Sequence, residues 1–281
     1  MLKKFIRDHK VHKDIISIPF FDYLFICKPI YLVGPIALIL IGMYLSLFSM
    51  GESLTGILSI NLYTALFVKG ILIVVSCIFM KNEILSAGDK SNYRFNFIEK
   101  NLIDNRISVD NAQLIHNIFL GIGTLLILVT SWMNIITIGL VYYLWTSMKS
   151  ENYFTQLGYN VIIAFLLIFS GWIYAGGSLI NILQCLVLSS PYILLFISTM
   201  TLIDFSEDKS NTFLATAFII IGFFIAYFNN DPLGATTLSV SAPFYLFVIL
   251  RGMERDLIRA IRYPIFLINF FIFTIYPLSM I

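Results

Sequence analysis

The chain has 281 residues, a formal net charge of +2 and a mean hydropathy of +0.89. Hydrophobic residues make up 59% of it and charged residues 12%, whereas a soluble domain is nearer half apolar and a quarter charged. This composition excludes an ordinary soluble domain and indicates a polytopic membrane protein, and the small positive charge gives no reason to expect a nucleic-acid partner.

The N-terminal segment, residues 1–23, mixes Lys and Arg with Ile and Phe. Its charged stretch is too long for a cleavable signal peptide. The pattern predicts a short amphipathic segment that lies on the cytoplasmic surface of the membrane.

Apolar runs long enough to cross a bilayer follow one another along the rest of the chain, since a spanning helix needs roughly 20 mainly apolar residues. They predict an all-α bundle of about nine transmembrane helices with cytoplasmic cap loops, in a single domain over residues 1–281. The predicted spans are 24–48, 61–80, 111–131, 134–148, 160–175, 179–203, 212–228, 235–250 and 263–280.

The basic residues predict the orientation of the bundle, because Lys and Arg accumulate on the cytoplasmic side. With the N-terminus inside, the inner segments hold every Lys and Arg except Lys28 and Lys69, and the outer connections hold none. We therefore expect a cytoplasmic N-terminus and a C-terminus on the outer side. The inner segments are 1–23, 81–110, 149–159, 204–211 and 251–262.

The inner segment 81–110 is much longer than the connections of about four to six residues that are usual in compact domains. It contains Tyr93, Phe95 and Phe97 as well as apolar residues near its start, which gives it surface to dock. We expect it to form a cap over the inner face of the bundle.

Two acidic stretches leave the inner ends of spans, and both end in the tetrapeptide DKSN. In the second, Asp204 and Asp208 are four residues apart, so a helix would present both carboxylates on one face, where a cation would relieve their repulsion. In the first, Asn82, Glu83 and Asp89 are the candidate oxygen ligands. Such a pair of clusters on one side is what a Mg²⁺–diphosphate site between helices needs, since Mg²⁺ binds one or two carboxylates together with phosphate oxygens.

The sequence resembles the UbiA superfamily of intramembrane prenyltransferases over nearly its whole length. That family has nine helices, an inside N-terminus and two aspartate-rich motifs, roughly NDxxDxxxD after the second helix and DxxxD after the sixth. Asp204-Phe205-Ser206-Glu207-Asp208 matches the second motif in full and is followed by Lys209. The stretch KNLIDNRIS over 100–108 resembles the family sequence that follows the first motif, and Lys28-Pro29 resembles its Arg-Pro at the first span.

The first motif is eroded in this chain. Asn82 is kept and Glu83 replaces the first Asp, but Ser86 and Lys90 stand at the next two acidic positions, and Asp89 falls one residue short of the last. The fold resemblance is therefore more complete than the catalytic one.

The resemblance implies a Mg²⁺-assisted transfer of an isoprenoid group from its diphosphate to an aromatic or other lipid-soluble acceptor. It implies Asp204 and Asp208 as catalytic metal ligands and Asn82, Glu83 and Asp89 as a weaker second metal site. The residues that it implies for contact with the substrate are Lys28, Lys100, Arg106, Tyr143, Lys149 and Lys209.

Two polar residues within apolar runs have no place in this scheme. Lys69 lies within the second span. There it would face an apolar substrate chamber inside the bundle, or its long side chain would reach the polar rim of the membrane. His116 in the third span would contact substrate or be a hydrogen-bonded interior histidine.

Two other functions are compatible with the sequence. A protein of this fold that has lost catalysis and binds a lipid or prenyl ligand would explain the eroded first motif. A small transporter is favoured less, because transporters place polar groups at the membrane midplane and the acids here gather at one face.

Overall fold

The structure, a computed structural model, describes residues 29–51, 62–86, 108–147, 153–205, 209–252 and 254–270. Within these ranges the chain forms nine α-helices, and one 3₁₀ turn, Leu179–Asn181, precedes the sixth. The helices are α1 Pro29–Met50, α2 Leu62–Ser86, α3 Val109–Thr130, α4 Met133–Ser147, α5 Tyr153–Tyr174, α6 Ile182–Phe205, α7 Lys209–Phe228, α8 Pro232–Arg251 and α9 Glu254–Phe270.

Seven of these nine helices in the described ranges are long and apolar enough to cross a membrane, and α4 and α9 are the exceptions. Helix α4 has only 15 residues, and α9 begins with charged turns. The prediction of an all-α membrane bundle is confirmed, and the protein is an integral multi-pass membrane protein.

Three helix boundaries differ from the sequence prediction in an informative way. Helix α2 continues to Ser86, so Asn82 and Glu83 lie within its last turns and not in a loop. Helices α5 and α9 begin seven and nine residues before the predicted positions, 160 and 263. Hydropathy detects only the apolar part of a helix, whereas backbone hydrogen bonding continues into polar turns at the membrane surface.

Helix α1 lies at the centre and packs against α2, α5, α6 and α9. On either side of it, α2–α5 and α6–α9 form two groups in which consecutive helices pack together. The two DKSN stretches are therefore equivalent in chain order, since each follows the first helix of its group.

The crossing of α1 and α5 brings two backbones into direct contact. A Cβ atom at Gly42 would lie 1.8 Å from the carbonyl oxygen of Ile168, and one at Gly171 would lie 1.9 Å from that of Ile39. The two glycines thus make room for each other's helix, as small residues do in membrane helix packing. A similar but looser pair, Gly70 and Gly123, joins α2 to α3.

At the end of the bundle away from Asn82 and Asp204, a buried carboxyl group holds α1, α6 and α8 together. Asp231, the N-cap of α8, accepts hydrogen bonds from the Tyr44 hydroxyl at 3.1 Å, the Tyr192 hydroxyl at 2.6 Å and the Gly234 amide at 3.2 Å. Its side chain is buried, so these donors take the place of water. The carboxyl group therefore fixes three helices at one point.

We expect Asp231→Ala to lower the free energy of unfolding by about 3 kcal/mol, because two buried tyrosine hydroxyls and the helix cap lose their acceptor. Asp231→Asn is the matched control, since its amide oxygen still accepts from the hydroxyls, and it should lose less than half as much. The midpoint of denaturation in detergent measures both. Equal losses in the two variants would contradict this role for the carboxyl oxygens.

The same group predicts a dependence of stability on pH. Burial raises the pKa of Asp231 above the ordinary 3.8, and the hydrogen bonds from Tyr192, Gly234 and Tyr44 oppose this only in part. A carboxyl group with a raised pKa prefers its protonated form in the folded state, so its contribution to stability falls as pH rises from 3.8 through the raised value. The unfolding temperature of Asp231→Asn relative to wild type should therefore increase with pH over this window.

Candidate functional site

The buried polar groups without a partner all lie at one end of the described bundle. This is the end where α2, α4, α6 and α8 finish and the odd-numbered helices begin, and we call it the inner face because the basic residues predict it to be cytoplasmic. In the described part of the chain, four buried side-chain atoms lack any hydrogen-bond partner: Asn82 Nδ2, Asn82 Oδ1, Trp145 Nε1 and Asp256 Oδ2. An unpaired buried polar atom costs about 1–3 kcal/mol, so their gathering at one face marks a place where a ligand would supply partners.

Two of these unpaired groups lie at the neighbouring ends of α2 and α4. The ring of Trp145 packs edge-on against Phe79 with centroids 5.8 Å apart, and Asn82 lies one helical turn beyond Phe79 toward the inner face. Asn82 is 8% exposed and Trp145 is 3% exposed. An indole N–H can only donate and a carboxamide both donates and accepts, so together they suit an oxygen-bearing ligand.

Helix α5 brings further polar side chains to the last turns of α6. The Tyr153 hydroxyl lies 3.3 Å from Thr201 Oγ1, one turn before Asp204 on α6. One turn into α5, Gln156 donates to Asn160 at 3.3 Å, and both are buried. The first turns of α5 are therefore polar on the side that packs against α6.

Helices α8 and α9 complete the inner face next to α6. Thr199 Oγ1 of α6 and the Tyr245 hydroxyl of α8 are 3.1 Å apart, which places these two helix ends at the same depth. Helix α8 then ends at Gly252 in the left-handed conformation, with φ at 60°, and α9 begins two residues later. Asp256 in the first turn of α9 is 2% exposed, with one oxygen 3.5 Å from Arg259 Nη1 and the other unpaired.

His116 is buried within a saturated hydrogen-bond network. Its Nε2 lies 2.9 Å from the Tyr142 hydroxyl and its Nδ1 lies 3.0 Å from Asn117 Oδ1. Gln113 donates to Asn117 and accepts from Lys81, which joins α2, α3 and α4. Because both ring nitrogens have partners, the structure agrees with a hydrogen-bonded interior histidine.

The structure describes only some of the predicted site residues. Asn82 and Glu83 are buried near the end of α2, and Tyr143 is 53% exposed on α4. Asp204 lies in the last turn of α6 and Lys209 begins α7, but their side chains are outside the described part of the structure. Also outside it are Lys28, Asp89, Lys100, Arg106, Lys149 and Asp208, and most of the predicted cap loop and N-terminal segment.

Lys69 is exposed on the surface of α2, seven residues from its outer end at Leu62. At 1.5 Å per residue this is about 10 Å along the helix. The adjacent Gly70 is buried against α3.

Sequence reasoning did not select several polar residues at this face: Trp145, Tyr153, Gln156, Asn160, Thr199, Thr201, Tyr245 and Asp256. The i, i+4 spacing of Gln156 and Asn160 near the start of an apolar helix was a usable signal. Trp145 gave none, because a tryptophan at a membrane surface is ordinarily an interfacial anchor.

The residues at the inner face suit Mg²⁺ in the type of donor that they offer. Mg²⁺ prefers oxygen ligands, and Asn82 has an unpaired carboxamide oxygen next to the buried Glu83. Among the side chains that the structure describes, no group of three or more His, Cys, Asp or Glu residues forms a metal cluster.

The class of protein that this bundle defines is an all-α integral membrane protein with a polar site at the inner ends of its helices. No family model matches the sequence, and no curated protein matches it.

A solved structure of digeranylgeranylglyceryl phosphate synthase, a membrane enzyme, has a similar fold. The two superpose with a TM-score of 0.57 at 14% sequence identity, over 90% of this chain and 96% of the other. At this level of identity the likeness shows the fold alone, and it agrees with the all-α membrane bundle predicted from the sequence.

The unpaired atoms of Asn82 lead to a test of the site itself. Asn82→Leu keeps the branching and the number of heavy atoms of the side chain and removes two unpaired polar atoms, so we expect the ligand-free protein to gain about 1–2 kcal/mol of stability. If an isoprenoid diphosphate and Mg²⁺ bind at this face, the same change should weaken any rise in unfolding temperature that they cause. Asn134→Leu is the control, because the Asn134 amide is paired with Ser131 and Ser170. It should destabilise the protein and leave the ligand effect in place. A loss of stability in Asn82→Leu would contradict the assignment of Asn82 as a buried group whose polar atoms lack partners.

Proposed function

We propose that the protein is an intramembrane prenyltransferase that moves an isoprenoid group from its diphosphate to a lipid-soluble acceptor. The observation that carries the proposal is the set of unpaired buried groups at the inner ends of α2, α4 and α9, within a fold shared with a membrane prenyltransferase. The diphosphate would lie between the ends of α2 and α6, at the depth of lipid headgroups. The isoprenoid chain would extend into the apolar interior.

In this proposal Asp204 and Asp208 would hold one Mg²⁺, and Asn82, Glu83 and Asp89 would form a weaker second metal site. The metal ion would supply positive charge to the leaving diphosphate without a proton transfer. Lys28, Lys100, Arg106, Lys149 and Lys209 are the candidate basic contacts to the same oxygens. Stabilising charge that develops as the diphosphate leaves is usually the largest catalytic contribution.

The interior of the bundle would protect the allylic cation that forms when the diphosphate departs. Below the polar residues of the inner face lies a large cluster of buried aliphatic and aromatic side chains, with buried Ser and Thr residues among them. Such a mainly apolar interior would keep water away from a reactive cation. Aromatic rings such as Phe79 and Trp145 lie at the boundary between the two zones, where a ring face would stabilise the cation by roughly 0.5–2 kcal/mol. The acceptor then forms the new bond to the isoprenoid carbon and gives up a proton.

The direct test is release of inorganic pyrophosphate by the purified protein. Geranyl, farnesyl and geranylgeranyl diphosphates would each be supplied with Mg²⁺ and a lipid extract as the source of acceptor. We expect release that requires Mg²⁺ and is accompanied by a prenylated product.

Ser86 in place of an acid favours one second candidate, a protein of this fold that binds an isoprenoid ligand without transferring it. Such a protein would gain thermal stability from farnesyl diphosphate yet release no pyrophosphate with any chain length or extract. That combination of results would replace the transferase proposal with the binding function.

A further inference from the structure

Three arginines gather on the exposed surface of α8 and α9 at the inner face. Arg251 ends α8 and is exposed, and Arg259 and Arg262 are exposed on α9. Among the side chains described in these two helices, the one acid is Asp256, which is 2% exposed and pairs with Arg259. The surface therefore carries an excess of positive charge that no exposed acid in the described part of the two helices neutralises.

Aromatic side chains adjoin these arginines and connect the two helices. The Arg251 guanidinium carbon lies 4.7 Å from the centre of the Phe247 ring. One turn before Phe247, the ring of Phe244 packs edge-on against Tyr263 of α9, with centroids 4.7 Å apart. Because Phe244 and Tyr263 touch, they fix the relative depth of the two helices in the membrane.

The depths of Arg251 and Arg259 in the membrane follow from the contact between Phe244 and Tyr263. At 1.5 Å per residue, Arg251 lies about 10 Å from Phe244 toward the inner face, and Arg259 lies about 6 Å from Tyr263 in the same direction. Their backbones thus lie within about one helical turn of each other in depth. Long arginine side chains bridge such a difference, so the two guanidinium groups are able to lie at the depth of lipid phosphates.

The side chains on the opposite side of Tyr263 are apolar. Phe266 is 63% exposed and Phe270 is 45% exposed, and their rings stack with centroids 6.0 Å apart. From the inner face toward the middle of the membrane, this surface therefore presents arginines, a tyrosine and then two phenylalanines. A phospholipid has the same order, with its phosphate at the surface, its glycerol at the interface and its acyl chains in the hydrocarbon.

We propose that this surface, formed by Arg251, Arg259 and Arg262 with Phe247, Tyr263 and Phe266, is a binding site for an anionic phospholipid of the inner leaflet. Guanidinium groups bind phosphate oxygens in pairs, and an anionic headgroup lacks the cation that a zwitterionic headgroup would bring close to three arginines. Basic side chains next to a membrane surface recognise anionic lipids in this way. The side chains of this surface are exposed on the outside of the bundle, whereas Asp256 and Ala260 of α9 are buried. The surface adjoins the proposed transfer site at Arg259, which pairs with Asp256.

The test is a titration of the purified full-length protein in a nonionic detergent with dioleoylphosphatidylglycerol or dioleoylphosphatidylcholine, followed by native mass spectrometry and thermal unfolding. We expect retained phosphatidylglycerol and a rise in unfolding temperature, and neither effect from phosphatidylcholine. The double variant Arg251→Gln/Arg262→Gln should bind phosphatidylglycerol on the order of 10- to 30-fold more weakly. Arg259 is left in place because it neutralises the buried Asp256.

The matched control is Lys90→Gln/Arg94→Gln, which removes the same charge from another inner segment of the chain, 81–110. It should bind phosphatidylglycerol as wild type does. An equal loss in this control, equal binding of the two lipids, or displacement of phosphatidylglycerol by farnesyl diphosphate would each overturn the proposal. If the double Gln variant fails to fold, Arg251→Lys/Arg262→Lys provides the test. It keeps the charge but cannot form paired guanidinium contacts, so phosphatidylglycerol binding should weaken, and unchanged binding would contradict the arginine-specific site.

Discussion

Asp204→Asn should lower kcat/KM for prenyl transfer by a factor of about 10²–10³. The change keeps the shape of the side chain and removes its negative charge. Asp204 lies in the last turn of α6, one turn beyond Thr201 and its contact with Tyr153, so this position belongs to the polar inner face. If Asp204 helps to hold Mg²⁺ against the diphosphate, the loss appears in the chemical step and raises the Mg²⁺ concentration needed for half-maximal rate. Pyrophosphate release at varied Mg²⁺ measures both effects.

The matched control for this prediction is Asp110→Asn. Asp110 lies in the first turn of α3, also at the inner face, and is exposed. The substitution removes the same charge outside the proposed site, so we expect kcat/KM within about twofold of wild type and an unchanged Mg²⁺ dependence. Full Mg²⁺-dependent activity in Asp204→Asn, or equal losses in the two variants, would remove Asp204 from the site.

Gly171→Ala should destabilise the protein by more than about 4 kcal/mol, an unusually large effect for one methyl group. The added Cβ would lie 1.9 Å from the carbonyl oxygen of Ile39 and 3.0 Å from the amide nitrogen of Met43, so the backbones of α1 and α5 have to separate. Helix α1 also packs against α2, α6 and α9, so the separation would disturb both groups of helices. We expect a fall in unfolding temperature on the order of 10 °C, or failure to purify as a single species.

Gly158→Ala is the control, because it makes the same change in the same helix. A Cβ at Gly158 would meet no atom within 4 Å, so alanine should be neutral or should stabilise α5 by up to about 1 kcal/mol through its better helix propensity. Unfolding temperatures for both variants, from the loss of monodisperse protein on heating in detergent, provide the comparison. Similar values for Gly171→Ala and wild type would contradict direct backbone contact at the crossing.

The sequence was sufficient to predict the fold because a membrane limits the number of folds that a chain can adopt. Apolar runs and the placement of Lys and Arg predicted about nine helices, and the described residues form nine. The errors occurred where helices leave the hydrocarbon, as at Asn82, which hydropathy assigned to a loop although it lies within α2. The mean hydropathy of a window of residues indicates whether a segment lies in lipid or in water, but it does not indicate where the helical backbone hydrogen bonds end.

The candidate site could be predicted only in part. The acidic stretch at Asp204 predicted a polar site at one end of the bundle, which stays a prediction. Trp145 and Asp256 at the same end became visible only through their burial without partners. Burial of a single side chain depends on which helices surround it, and one sequence does not contain that information. The crossing at Gly42 and Gly171 was not predicted either, since the spacing of glycines does not say which helix lies opposite.

The central claim is that an isoprenoid diphosphate binds with Mg²⁺ among the inner ends of α2, α4 and α6. The most direct test is a cryo-electron microscopy structure of the protein with Mg²⁺ and farnesyl thiodiphosphate, an analogue that resists loss of its diphosphate. We expect the diphosphate to lie within hydrogen-bond distance of Asn82, with Mg²⁺ between the diphosphate and Asp204. We expect the isoprenoid chain to extend into the apolar core. Density for the diphosphate at the opposite end of the bundle, near Asp231, would contradict the proposed function. So would a bound diphosphate that leaves Asn82 and Trp145 without hydrogen-bond partners.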